Sequence, residues 1–596
     1  MAAYKLELLR KAMTEKEISA LIVPSSDPHF GEYIQAHYKC VEWLSGFNGS
    51  SGTIAITLKD AALWTDSRFF VQAEAQLAGS GIELMKMKIP GTEGIDTWIK
   101  KRLKKGERVG VVKELLSLSD FIMLQQDLLP FDFIEIDDLF QTIWKSRPVV
   151  ESYKINVLDD VYAGESVSSK HARVVAEIGE ETDFLYIISS CDDIAWLFNI
   201  RGSDIEYNPV PLAYAALTKS SMTLFIKSGT LTDELSLHLS KERVRIMNYD
   251  EFDTFISTYP SSAIRIASKE KISLNKYNIS LSGGSSFSPD TRRGGVIANL
   301  KAVKNETEIS GFRKAMILDG VAWVKYLRFV EERLMEKNNP LGEWEAATKI
   351  ALFRAESDLY MGESFAPIVA FGPNGALPHY EPSEAVHTVV GRDNFLLTDT
   401  GGQYICGTTD ATRTIAIGEI TEEQKKDYTL VLSGMINLAM ARFPLGTRGA
   451  QLDVLARGPV FSTAKMYMHG TGHGVGHYLC VHEGPQSIRM EENPVLLKPG
   501  MITSDEPAVY EEGRYGIRCE NLILCKEWCK NKFGTFYEFE TLTLIPFDTK
   551  PIIKELLGKD KIAWLNEYHR RVFRELSPYL KSDDREWLKL RTADID

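Results

Sequence analysis

Apolar positions along the chain change period twice, and the changes divide it. Near the start, short apolar runs end in turn residues: LIVPSSD (21–27), then WLSGFNGS (43–50), then the strand–turn–strand segment TIAITLKDAALWTD. The same order returns as YIISSCD (186–192), WLFNIRGS (196–203) and AYAALTKSSMTLFIK. Each copy has an apolar strand closed by Ser-Ser and a Trp-Leu pair ahead of Gly-Ser, so the reading is two α/β domains of one kind. Pro148 and its polar neighbours interrupt the pattern and place one boundary, giving domains 1–147 and 148–301. The Gly/Ser-rich stretch SGGSSFSPDTRRGG (282–295) precedes the second boundary. From Asn305 the spacing of Phe312, Met316, Trp323, Leu327, Val330 and Leu334 predicts a long helix. A second helix over LGEWEAATKIALFRA leads to the strand FAPIVAF. Residues 302–596 therefore mix long helices with antiparallel hairpins, an α+β pattern, and end in an amphipathic helical extension (IAWLNEYHRRVFREL) that packs on the domain or forms a dimer contact.

Composition narrows the class. The 596 residues are 44% hydrophobic and 25% charged, as in ordinary globular proteins. A net charge of −13 argues against nucleic acid or an anionic membrane as the main partner. The basic run IKKRLKKGER (99–108) reads as a solvated helix end. Seven cysteines without CxxC spacing suggest reduced thiols. The N-terminus, MAAYKLELLRKAMTEKEI, lacks the apolar core of a secretory signal, and no run approaches the ~18–20 apolar residues of a membrane span. The expectation is a soluble cytoplasmic protein.

The chemistry concentrates in PHYEP (378–382), LLTDTGGQYICGTTDATRT (396–414), HGTGHGVGHYLCVHEGP (469–485) and SDEPAVYEEGRYGIRCEN (504–521). Asp399 and Asp410 flank a glycine-rich stretch, and Glu506 and Glu520 flank another. Read as two β-hairpins, these segments set each acid pair face to face, with Cβ atoms about 5 Å apart. Acids held so close repel unless a cation lies between them. Two such hairpins with a histidine make a recipe for a two-metal site. Six of the eleven histidines lie between 379 and 482. The glycines among His469, His473, His477 and His482 argue against a zinc-binding helix and for a strand or loop. They do not fit a dinucleotide loop, and no nucleophile elbow suits a serine hydrolase. Oxygen donors with one imidazole and no thiolate favour manganese, with cobalt, iron or zinc as alternatives.

These motifs, in this order, resemble the metal-dependent aminopeptidase P family, X-prolyl aminopeptidases whose catalytic domain has the pita-bread fold. The repeated N-terminal domains resemble the creatinase-like pair of its long, three-domain form. The resemblance implies that Asp410 and Glu520 bridge two divalent metals, that Asp399 binds one ion, and that His473 and Glu506 bind the other. It also implies that His379 and His482 handle substrate, and that Arg68 reaches toward it. Ala508 and Cys480 depart from common family residues without touching a ligand. The implied reaction is hydrolysis of the bond between an N-terminal residue and a penultimate proline, by a hydroxide shared between two metals with Glu506 as proton shuttle. The substrates would be peptides with proline second, and a homodimer is implied. The alternatives are a prolidase acting on X-Pro dipeptides, a metal-free creatinase relative and a non-enzymatic pita-bread binding module. The intact ligand acids argue against the metal-free relative. The absence of a long acidic tail argues against the binding module.

Overall fold

Alternate residues of the first strand, Leu21 and Val23 against Ala20 and Ile22, enter two separate hydrophobic clusters. That is the pattern of a strand covered on both faces, and it explains a continuous apolar run. The computed structural model describes residues 2–180, 182–281, 292–336 and 339–596. It comprises two compact units, Met1–Leu158 with Glu165–Ile297, and Asp159–Gly164 with Ala298–Asp596.

The first unit holds two sheets. Strands β1 (Ala20–Pro24), β2 (Thr53–Thr57), β3 (Ala61–Thr65), β4 (Glu83–Lys86), β5 (Arg108–Val112) and β6 (Asp132–Ile136) lie in the order β4-β3-β2-β1-β5-β6. The chain continues through β7 (Asn156–Val157), β8 (Leu185–Ile188), β9 (Ile200–Arg201), β10 (Ala213–Leu217), β11 (Met222–Ile226), β12 (Val244–Asn248) and β13 (Ile264–Ile266). Of these, β7 pairs with β9, and the second sheet runs β12-β11-β10-β8-β13. In both sheets the three central strands are antiparallel and the outer joins are parallel. The repeated segments LIVP and YII build the corresponding strands β1 and β8. The faint sequence repeat is therefore a repeat of topology. The proposed division of this unit at residue 148 rests on that repetition, and most of the Gly/Ser-rich stretch proposed as the second boundary lies outside the described residues.

The second unit opens with the long helix Glu306–Met335, capped reciprocally by Asn305 and Glu308. Phe312, Met316, Trp323, Leu327 and Val330 form its buried face, as their spacing predicts. Helix Glu343–Arg354 follows, and then come β14 (Tyr360–Glu363), β15 (Ile368–Phe371), β16 (Asn394–Thr400), β17 (Gly402–Tyr404), β18 (Gly407–Thr408) and β19 (Ala411–Ile417). They form two three-stranded sheets, β14-β17-β18 and β15-β16-β19. Beyond them lie β20 (Arg442–Pro444), β21 (Gly472–Gly474), β22 (Glu483–Ile488), β23 (Ile502–Asp505), β24 (Ala508–Glu511), β25 (Tyr515–Arg518), β26 (Asn521–Asn531) and β27 (Gly534–Thr541). A six-stranded sheet, β20-β27-β26-β23-β21-β22, is joined by the ribbon β24-β25. Helix Glu422–Ala439 packs against these strands in the largest cluster, with Val431, Met435, Ile517, Leu522 and Leu524. Near the C-terminus, helix Lys559–Leu576 places Leu565, Val572 and Leu576 in the same cluster, so the amphipathic tail packs on the second unit.

Candidate metal centre

The ribbon carrying the two glutamates follows one register. Asp505 pairs with Asn521 and Ala508 with Arg518, so Glu506 falls opposite Glu520. The aspartates differ from the face-to-face expectation. In the β16–β19 ladder Asp399 faces Thr412, and Asp410 lies two residues away, just before β19. The two share a face diagonally rather than directly. The cause is the excursion β17–β18 between them, which joins the other sheet and absorbs residues a simple turn would have shared between the strands. Gly401 allows this tight exit, because a Cβ there would lie 1.9 Å from the Thr409 carbonyl oxygen.

Cross-links bring the two ribbons together. Glu520 N–H donates to the Thr412 carbonyl (3.2 Å), the Thr412 hydroxyl to Glu520 Oε2 (2.7 Å), and Glu506 N–H to the Thr471 carbonyl (2.8 Å). His473 sits on β21, which pairs with β22 and β23. Its Nε2 is 3.3 Å from Asp410 Oδ2 and 3.5 Å from Glu506 Oε1. His482 meets it edge-on, with ring centres 4.4 Å apart.

Three overlapping sets of donor atoms result, each with its atoms within 4.8 Å of one another: Asp410–His473–His482, His473–Glu506–Glu520, and Asp399–Asp410–Glu520. His482, expected to touch substrate, thus lies within ligand reach as well. A fourth acidic set, Glu423–Asp427–Glu511, already holds a fixed cation, the Lys465 ammonium, 2.7 Å from Asp427 and from Glu511.

The electrostatics fit divalent cations. Burial, reinforced by Asp410, Asp399 and Glu506, pushes Glu520 well above the usual carboxylate range. Burial and the neighbouring acids push Glu506 up to about 7, against the opposing pull of His473 and Arg518. Burial raises Asp399 too, although Arg518 opposes it. For His473, burial disfavours the charged ring, but Asp410 and Glu506 outweigh it and push the group up to about 9. Buried Asp399 Oδ1 has no hydrogen-bond partner. A cluster of buried acids that resists ionisation, with an orphaned oxygen, is a donor set suited to a cation.

Arg518 was not expected from the sequence. It donates to Asp399 Oδ2, to the Thr412 hydroxyl (3.1 Å) and to the Tyr510 hydroxyl (2.6 Å), and Tyr510 lies 2.9 Å from His469 Nε2. Its sequence signal was a charged residue inside the apolar strand YGIR. His477 packs against Phe312 with ring centres 5.7 Å apart. His379 lies outside the three sets, on the loop that follows β15. Arg68 belongs to the first unit, where Asp66 (2.8 Å) and Glu32 (3.8 Å) pair with its guanidinium.

Known proteins match this chain throughout. Residues 310–527 match metallopeptidase family M24, and residues 535–595 match the C-terminal region of peptidase M24. Residues 5–149 and 146–308 each match a creatinase/prolidase N-terminal domain. A probable Xaa-Pro aminopeptidase P of Coprinopsis cinerea is 37% identical over 613 residues, covering 99% of this chain and 98% of that one. One from Aspergillus flavus is 38% identical over 609 residues, covering 99% and 92%. The crystal structure of an X-prolyl aminopeptidase from Caenorhabditis elegans, described as a cytosolic enzyme with a di-nuclear active site, superposes with TM-score 0.93 at 32% identity and full coverage of both chains.

Proposed function

The chain belongs to the Xaa-Pro aminopeptidase P family within metallopeptidase family M24, and on that premise we propose how it hydrolyses the bond between an N-terminal residue and a penultimate proline. The observation that carries the proposal is the triple overlap of donor sets, in which Asp410, Glu520 and His473 each belong to two. Asp410 and Glu520 would bridge two ions, Asp399 would hold one, and His473 and Glu506 the other. Two divalent ions, manganese by the hardness of the donors, would supply Lewis acidity to water and to the scissile carbonyl.

The chain's own groups do the rest. Glu506, whose Oε1 lies 3.5 Å from His473 Nε2 inside the acid cluster, would take a proton from water and return it to the proline nitrogen. His482 and His379 would donate hydrogen bonds to the carbonyl oxygen as charge develops there, with Arg68 as a substrate contact. The X-Pro amide has no N–H, so a site that works on the carbonyl suits this substrate. Full-length kinship with aminopeptidases P favours this activity over that of a prolidase restricted to dipeptides. A homodimer and a cytoplasmic location complete the proposal. The relative described as cytosolic supports the location, and no helix among the described residues is long and apolar enough to cross a membrane.

The test is hydrolysis of X-Pro-Pro and X-Pro peptides after chelation, with manganese, cobalt and zinc restored separately. Cleavage of the tripeptide should vanish on chelation and return best with manganese. A stripped enzyme with full activity refutes the metal role, and activity confined to X-Pro restores the prolidase reading.

A further inference from the structure

His482 has a role in the proposed reaction, but Glu483, the next residue in the chain and a buried one, has none. Glu483 begins β22 and pairs across the ladder with Gly474, the residue after His473. Its carboxylate lies between two lysines. Lys304 Nζ donates to Glu483 Oε1 (2.7 Å), and Lys301 Nζ is 3.4 Å from Oε2. Lys304 also donates to the Lys301 carbonyl (3.1 Å). All three side chains are at most 2% exposed. Lys301 lies in the last turn of the helix Gly295–Ala302, and Lys304 directly precedes the Asn305 cap of the long helix.

The glycines of HGTGHGVGH make room for this acid. A Cβ at Gly474 would come 2.2 Å from the Glu483 carbonyl oxygen, and one at Gly476 would come 2.7 Å from Glu483 Oε2. Neighbouring Gly472 excludes a side chain for another reason, as its Cβ would lie 1.9 Å from the Ser504 carbonyl oxygen. The glycine run thus lets the histidine strand lie on top of a buried ionic cluster.

Three buried charges are a poor way to add stability, because desolvation offsets their attraction and apolar packing of equal volume often does better. A directional role accounts for them. We infer that Glu483, gripped by Lys301 and Lys304, is a positioning residue that fixes the orientation of His482 and, through the ladder, of His473. The inference rests on the aminopeptidase reading above. The backbone of Glu483 is held by β21 and its side chain by two cations, so the direction in which His482 leaves the chain is set. The edge-on packing of the two rings follows from that anchor.

The test compares the full-length wild type with Glu483→Gln, which keeps the volume and removes the charge. A triple variant, Lys301→Met, Lys304→Met and Glu483→Gln, removes all three charges together. Activity on an X-Pro-Pro peptide, metal stoichiometry and thermal melting are measured on each. For Glu483→Gln, kcat should fall about 10–100-fold, the loss typical when a group that orients a site is removed, while KM stays within about twofold. The triple variant should recover the melting temperature but not kcat, and both variants should bind metal. If Glu483→Gln keeps wild-type kcat, or if the triple variant regains kcat along with stability, Glu483 is no more than a packing element. Should Glu483→Gln fail to fold, the triple variant decides between the two roles by the same criterion. A wild type that does not cleave the peptide overturns the aminopeptidase reading and this one with it.

Discussion

Arg518 shows how much of the site is carried by a side chain that binds no metal in the proposal. Its guanidinium fork holds Asp399, Thr412 and Tyr510 at once, and Tyr510 extends the chain to His469. An ammonium cannot reproduce that planar, three-way geometry. Arg518→Lys is therefore expected to weaken metal binding by about 10–100-fold, measured by calorimetric titration of the stripped protein. Binding unchanged within about twofold would show that the lysine suffices. The acids proposed as ligands stand out residue by residue, because charged groups inside apolar strands are conspicuous. Arg518 carried the same signal and was missed, since one arginine in a strand does not announce which acid it holds.

At the scale of elements, two anchors stand out. Glu343, fully buried at the start of its helix, accepts hydrogen bonds from Phe371 N–H (2.6 Å), Asn374 Nδ2 (3.0 Å), the Tyr380 hydroxyl (2.7 Å) and Thr388 N–H (2.7 Å). It ties together the loop that carries His379. Glu343→Ala is expected to cost about 2–4 kcal/mol, since several donors lose their acceptor at once. Chemical denaturation measures the cost, and hydrogen exchange should show faster opening confined to residues 371–388.

The second anchor is His569 on helix Lys559–Leu576, whose ring nitrogen accepts a hydrogen bond from Phe547 N–H (3.1 Å). Burial, with Arg413 adding to it, pushes His569 down to about 3 from its usual 6.5. The unfolded chain therefore binds a proton that the folded one refuses. This contribution is complete above about pH 6.5 and is lost as the pH falls toward 3, at about 1.4 kcal/mol per unit. His569→Gln keeps an acceptor and removes the titration, so its stability relative to wild type should improve as the pH falls through that window. Parallel stability curves for the two proteins would rule the effect out. At this scale the long helix is readable from apolar periodicity, and the glutamate ribbon from the glycine-centred bend between its two acids. The aspartate register was not, because the β17–β18 excursion pairs with another sheet, and no local pattern reports that.

At the scale of the whole molecule, Arg413 joins the C-terminal region to the metal site. It is fully buried and donates to the carbonyls of Thr412, Glu520 and Ile545 and to the Tyr568 hydroxyl. The helix bearing Tyr568 also supplies Leu565, Val572 and Leu576 to the largest core cluster. A chain ended after residue 550 would expose that core and strip Arg413 of its Tyr568 partner. It is expected to yield insoluble protein or protein with no bound metal, tested by expression and metal analysis. A soluble, fully loaded truncation would mean the C-terminal region is dispensable.

The sequence by itself determined the inventory: which acids and imidazoles are present, two copies of one α/β pattern, and the register of the Glu506–Glu520 ribbon. Those features follow from local spacing, since pleat and helix periods dictate which neighbours share a face. Tertiary structure alone decided the diagonal relation of Asp399 and Asp410, the grip of Arg518 on Asp399, and the lysine pair around Glu483. The first depends on the β17–β18 excursion pairing with another sheet, and the other two join segments more than a hundred residues apart, so all three follow from the packing of the whole unit rather than from any pattern written into one segment.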